Sequence, residues 1–332
     1  MEFINEYGLF LAKSITVVAA ILIIVSGVVA LSSRSTLKTK EHIEVKHLNR
    51  AFEEMSLALQ EVILPKKAFK GLLKKAKKQQ KSAEQQSDEQ RKLFVLNFHG
   101  DIRASAVASL REEITALLMI AAPRDEVVVR LESAGGLVHA YGLAASQLAR
   151  IKERKIGLTV AVDKVAASGG YLMACVADRI VTAPFAVVGS IGVVSQLPNF
   201  NRLLKKHDID FELLTAGEYK RTMTLFGENT DKARLKFQEE LEETHRLFKE
   251  FLSTYRNQLD LERVATGEHW YGTQALELKL VDELRTSDDY LLEASKDAAL
   301  FEITYASHKP LWTKLSNWVS AMLVRQFFEP RV

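Results

Sequence analysis

The chain has 332 residues, 47% of them hydrophobic, enough for one or two domains with a sizeable core. Charged residues make up 26%, and the net charge of +3 is too small to mark a nucleic-acid binder by itself. The single cysteine, Cys175, excludes an intrachain disulfide and a cysteine metal cage, and reads as a small buried core residue.

Residues 1–8 form a short tail. Ser14–Leu31 is an uncharged apolar run of 18 residues. Counted from Leu9, residues 9–31 make a helix about 34 Å long, enough to cross a bilayer core. Glu2 and Glu6 stand where a signal peptide carries positive charge, which favours a retained transmembrane anchor over a cleaved leader. Arg34, Lys38, Lys40, Lys46 and Arg50 follow the run, and positive-inside reasoning places the downstream chain in the cytoplasm.

Residues 32–91 read as a basic, helical or flexible linker. Leu48, Phe52, Met55 and Leu59 recur at helical spacing, and Pro65 interrupts the pattern. Lys66–Lys81 carries eight lysines, which suit either a solvated linker or anionic lipid headgroups. Nucleic acid is not an expected partner, because the run lacks an aromatic stacking pattern.

Residues 92–305 read as the folded domain. Leu93–Phe98, Val127–Leu131 and Ile156–Val162 are strand-like, and Ala104–Ile120 and Leu137–Ile151 are helical. This alternation predicts an α/β fold with a parallel sheet covered on its faces. Further on come β-like pieces at Arg179–Thr182, Val187–Val188 and Ile191–Val194, and a strand at Phe211–Thr215. A long amphipathic helix at Asp231–Tyr255, a short segment at Leu261–Ala265 and a helix at Thr273–Lys279 follow. Residues 306–332 read as an amphipathic helix, with Leu311, Leu315, Trp318, Val319, Met322 and Leu323 at helical spacing. Such a helix suits a membrane interface or a neighbouring subunit equally well.

Two glycine pairs carry the candidate chemistry. The second strand runs into Glu132-Ser133-Ala134-Gly135-Gly136, a turn whose backbone N–H groups could hold an anion or an acyl oxyanion. The third strand is followed by Ser168-Gly169-Gly170 at the start of an apolar helix. A serine there is either a plain helix cap or a nucleophile, and caps are the commoner case. As a nucleophile it needs a base. His99, His139 and His269 lie in or near loops, without an identifiable aspartate partner. Lys220 follows the predicted strand at Phe211–Thr215, and a lysine acts as a base only when burial keeps it neutral.

Five segments resemble the signal peptide peptidase A family and its inner-membrane members: ESAGG (132–136), VAASGGYLMACVAD (165–178), APFAVVGSIGVV (183–194), TAGEYKR (215–221) and GEHWYGTQALELKLVDE (267–283). The resemblance implies a ClpP/crotonase-like core of repeated strand–strand–helix units. It implies Ser168 as nucleophile and Lys220 as general base, 52 positions apart. It implies an oxyanion hole from Gly169, Gly135 and Gly136. Gly189, Ser190, Ile191, Gly192 and Val193 would line the substrate groove. It further implies apolar peptide substrates, such as remnant signal peptides or unfolded membrane segments, and assembly into a ring or dome; no metal or cofactor is expected. Two departures stand out: Ala134 replaces the family's usual proline, and His269-Trp270-Tyr271 replaces its arginine and threonine. Family analogy places such enzymes on the periplasmic side, against the charge pattern. Two other functions stay open: a non-enzymatic membrane scaffold, and a crotonase-like acyl-CoA enzyme sharing the oxyanion geometry.

Overall fold

The computed structural model describes residues 42–74 and 90–306, together with Gly8, Lys13, Ile15, Thr16 and Val18. Ile43–Tyr305 forms one compact unit. The remainder, Met1–His42 with Ala306–Val332, groups separately and is almost wholly outside the described residues. The anchor expected at 9–31 and the helix expected at 306–332 therefore lie outside them, isolated positions aside. Among the described residues, no helix is long and apolar enough to cross a membrane.

The unit is built on a ten-stranded sheet. Its central strands are β2 (Lys92–Gly100), β3 (Glu126–Ser133) and β4 (Gly157–Val162). They run parallel, extended on one side by β10 (Ala299–Ala306) and on the other by β6 (Arg179–Thr182) and β9 (Glu283–Leu284). β1 (His42–His47) flanks β10. These strands are rich in valine and leucine because both faces are buried, the usual condition of a parallel sheet. One face presents Phe94, Leu96, Phe98, Val127, Val129 and Leu131 to α2 (Val107–Leu118) and α3 (Val138–Glu153). The other presents Leu93, Val95, Val128 and Val181 to Leu48 of α1 (Leu48–Ile63) and to Tyr290 and Leu291 of α9 (Ser287–Ala294).

The sheet branches at the end of β3. Ser133 pairs there with Ala166 of β5 (Val165–Ala167), and β5 pairs with β7 (Val187–Gly189). The offshoot ends in β8 (His269–Tyr271), antiparallel to β7. Past β5 the chain turns into α4 (Gly169–Ala174), whose six residues are all buried. The remaining helices are α5 (Asn201–Lys206), α6 (Asp231–Tyr255), α7 (Leu261–Val264) and α8 (Gly272–Glu277).

Three stretches depart from expectation. The strand expected at Phe211–Thr215, and the β-like piece at Ile191–Val194, are irregular backbone. Among the described residues no strand pairs with Phe211–Thr215, so β-prone residues alone do not form a ladder. Residues 43–63, expected in a linker, belong to the compact unit. Asn49 explains why: its amide donates to the carbonyls of Ser295 and Ala298, both at 3.0 Å, and its oxygen accepts the Leu300 N–H at 2.8 Å. This bracket ties α1 to the start of β10.

Candidate active site

Ser168 stands at the branch of the sheet. Its backbone has φ 52° and ψ −118°, a region costly for a residue with a side chain. The strain is held from both sides: the Ser168 N–H donates to the Gly189 carbonyl at 2.7 Å, and the Leu172 N–H donates to the Ser168 carbonyl at 2.9 Å. Although Ser168 occupies the N-cap position of α4, its side chain makes no capping hydrogen bond. The plain-cap reading therefore fails. The hydroxyl is half-buried and has no hydrogen-bond partner among the described residues.

The Gly135–Gly136 turn presses directly on this serine. Gly135 has φ +89°, and a Cβ there would come within 2.8 Å of both the Ser168 Cβ and the Ala167 carbonyl oxygen. A Cβ on Gly136 would meet the Ile102 carbonyl oxygen at 2.1 Å. Only glycine fits either position. The Gly169 N–H is the first of α4, so it has no partner within the helix. The turn, Ser168 and Gly169 are thus brought together.

A buried relay fixes the turn from below. Tyr141 is fully buried, and its hydroxyl lies 2.7 Å from the Asp101 carbonyl oxygen, which can only accept. Tyr141 must therefore donate there. Its contact with Ser133 Oγ, at 2.5 Å, is then donated by the serine. Ser133 Oγ in turn accepts the Gly135 N–H at 3.1 Å. Burial pushes the Tyr141 phenol above its ordinary pKa, so it stays a neutral donor. The same ring lies under Gly169, where a Cβ would meet Tyr141 Cγ at 2.4 Å. Sequence reasoning missed Tyr141, which there is one more apolar-face residue of a helix.

Of the expected groove residues, Gly189 is joined directly to the serine. On one edge, the Ser190 N–H donates to the Glu268 carbonyl at 2.6 Å, and the Ile191 carbonyl accepts the Gly267 N–H at 3.0 Å. On the other edge, the Ser168–Gly189 bond is the last rung. Past it β5 has become α4, and among the described residues no strand pairs with Ser190, Ile191, Gly192 or Val193 on that edge. Gly189, with φ +96°, packs on the Trp270 ring.

Lys220 is not hydrogen-bonded to Ser168. It is exposed, and its side chain makes no hydrogen bond or ion pair among the described residues. It belongs to an arm, residues 194–230, whose hydrogen bonds among the described residues all close within 194–236. The arm is tied to the start of α6 by the Glu218–Lys232 ion pair and by Lys236 over the Tyr219 ring. Of α6, only Leu252 is buried, some 20 residues and about 30 Å along the helix from Lys232. The arm exposes Val194, Leu203, Ile209, Leu213 and Leu214.

His99, His139 and His269 are exposed, and none hydrogen-bonds Ser168. His99 instead faces Glu132, 3.7 Å away, beside a cleft of about 440 Å³ that none of the expected site residues lines. Among the described residues, no cluster of three or more His, Cys, Asp or Glu could hold a metal ion.

A parallel α/β sheet with a strained serine against a glycine turn defines a class of hydrolase sites, and the family comparison names the class. Residues 2–148 match the N-terminal region of peptidase family S49, and residues 150–300 match peptidase family S49. The chain belongs to this family and is a peptidase. A probable protease SohB of Haemophilus influenzae is 50% identical over 328 residues, 95% of this chain and 93% of its own. A probable protease SohB of Buchnera aphidicola is 56% identical over 242 residues, 72% of each chain. Among solved structures, a mutant of the 1510-N membrane-bound stomatin-specific protease in complex with a substrate peptide aligns with a TM-score of 0.41 and 12% identity. That alignment covers 69% of this chain and 99% of that one.

Proposed function

We propose that this chain is a membrane-anchored serine endopeptidase with Ser168 as nucleophile and Lys220 as general base. The observation that carries the reading is Ser168 itself. A strained backbone, an unengaged hydroxyl and a glycine turn in van der Waals contact are what an exposed nucleophile requires. Lys220 takes the proton from Ser168 Oγ as the oxygen attacks the peptide carbonyl. The oxyanion is stabilised by the Gly169 N–H and the Gly135–Gly136 turn. The proton passes to the leaving amine, and water then hydrolyses the acyl-enzyme. An extended peptide takes up the line that β5 vacates, pairing with the free edge of Ser190–Val193. The short apolar side chains there suit apolar substrates such as remnant signal peptides or unfolded membrane segments.

The separation of Lys220 from Ser168 within one chain supports completion of the dyad by a second copy in a ring or dome. The exposed apolar arm is the natural contact for that copy, and docking would supply the burial that a lysine base needs. The test mixes two inactive variants, Ser168→Ala and Lys220→Ala. If serine and lysine come from different copies, random co-assembly restores activity at about one site in four. If both come from one copy, the mixture stays inactive.

Residues 9–31 are proposed as the single span in a bacterial inner membrane. The basic residues that follow support a cytoplasmic peptidase domain, and family analogy supports a periplasmic one. A side-specific reporter fused after residue 332 decides between them. A non-enzymatic scaffold is favoured by one observation, the unjoined Ser168 and Lys220, and failure to acylate Ser168 would establish it.

A further inference from the structure

We propose that α1 and the helical stretch at 66–74 form a second, peripheral contact with the membrane, docking on anionic lipid headgroups. The argument starts from the apolar stripe of α1. Leu48, Phe52, Met55, Leu59 and Val62 follow one another at spacings of three and four, so they share one face. The protein core uses only the beginning of this stripe. Leu48 is buried in the second face of the sheet and Phe52 packs beside it. Met55, Leu59 and Val62 are 56%, 65% and 87% exposed. The stripe runs on past the core that it begins in.

The charges are arranged around it accordingly. Glu53, Glu54 and Glu61 project from the other sides of α1, away from the apolar stripe. After Pro65 the backbone is helical again at 66–74. Lys66, Lys67, Lys70 and Lys74 share one side of that helix by their spacing, and all four are exposed. None makes an ion pair among the described residues. Phe69 and Leu73 flank this row on the Lys66 edge and are half-buried. An uncovered apolar face continuing into a row of lysines complements a surface that is apolar below and negatively charged above. An anionic lipid leaflet is such a surface. The proposal depends neither on the chemistry at Ser168 nor on whether residues 9–31 cross the bilayer.

The test uses the full chain and local probes. Cys175, the only native cysteine, is buried, so an introduced cysteine takes the label. One variant carries an environment-sensitive fluorophore at Leu59→Cys on the stripe, the other at Glu61→Cys on another side of the same helix. Each is presented to phosphatidylcholine vesicles, with and without phosphatidylglycerol, containing a quencher lipid. The expected result is quenching at position 59 that requires phosphatidylglycerol, with position 61 unquenched. Replacing Lys66, Lys67, Lys70 and Lys74 by glutamine should lower the docked-to-free ratio about fivefold per lysine. Equal quenching at both positions, no quenching at 59, or the same quenching without phosphatidylglycerol overturns the proposal. So does a probe at 59 already shielded in detergent. Shielding that grows with protein concentration would assign the stripe to a second copy, and shielding independent of concentration to another part of this chain.

Discussion

Gly135 lies so close to Ser168 that one added carbon on Gly135 would sit 2.7 Å from the Gly169 nitrogen and 2.8 Å from the Ser168 Cβ. The two glycine motifs, 33 positions apart in the sequence, are one object in the fold. They meet because β3 and β5 pair at Ser133 and Ala166, the last rung before each chain turns away.

Gly135→Ala should therefore damage catalysis more than folding. The methyl group meets backbone atoms that cannot move without disturbing Ser168, and φ +89° adds strain. Displacing the Gly169 N–H and the turn from the oxyanion site costs about 100-fold in kcat or more. Steady-state kinetics on a fluorogenic apolar peptide, with thermal unfolding in parallel, separates the two effects.

Tyr141→Phe removes the link between Ser133 and the Asp101 carbonyl while leaving the ring under Gly169. It strands buried polar groups, at a stability cost of about 1–3 kcal/mol. The expected signature is a fall in kcat with little change in KM, since the relay orients the turn and does not touch a bound peptide strand. A variant that loses stability alone would make Tyr141 a packing residue.

Arg256 is 3% exposed. It grips Asp282 through two bonds, at 2.8 and 2.9 Å, and Asp282 also accepts the Ile180 N–H at 2.7 Å. Arg256→Ala leaves that carboxylate without its counter-charge and should cost about 3 kcal/mol. Urea unfolding measures it, and the expected change is in the midpoint rather than the slope.

Glu113 supplies a pH signature. It is buried on α2, where desolvation raises its pKa even though it accepts the Tyr305 N–H at 2.8 Å. A carboxyl with a raised folded pKa favours the folded state below its unfolded pKa, and that contribution is lost as pH rises through the folded value. Glu113→Gln keeps an acceptor for Tyr305 without the charge. It should raise the unfolding temperature at pH 8 and leave it nearly unchanged at pH 4.

Much of the sheet was legible because its strands announce themselves. Val127–Leu131 and Ile156–Val162 are apolar runs that burial on both faces requires, and the helix at Asp231–Tyr255 has the bounds its amphipathic pattern predicts. The glycine pairs were legible as turns. What escaped is what depends on partners distant in sequence. Of the offshoot, β7 was read at Val187–Val188, whereas β5 and β8 are three-residue strands too short for any periodicity to show. Phe211–Thr215 looks like a strand locally and pairs with none among the described residues. Asn49 and Tyr141 act through atoms that composition does not register. The position of Lys220 was illegible for a related reason, since among the described residues the hydrogen bonds of its arm reach no further than the start of α6.

The central claim is that Ser168 is the nucleophile, and covalent labelling tests it most directly. The full-length protein is treated with a fluorophosphonate, and the modified peptide is located by mass spectrometry. The account predicts one adduct, on Ser168, absent from Ser168→Ala and strongly reduced in Lys220→Ala. An adduct elsewhere, or cleavage that persists unchanged in Ser168→Ala, would contradict it.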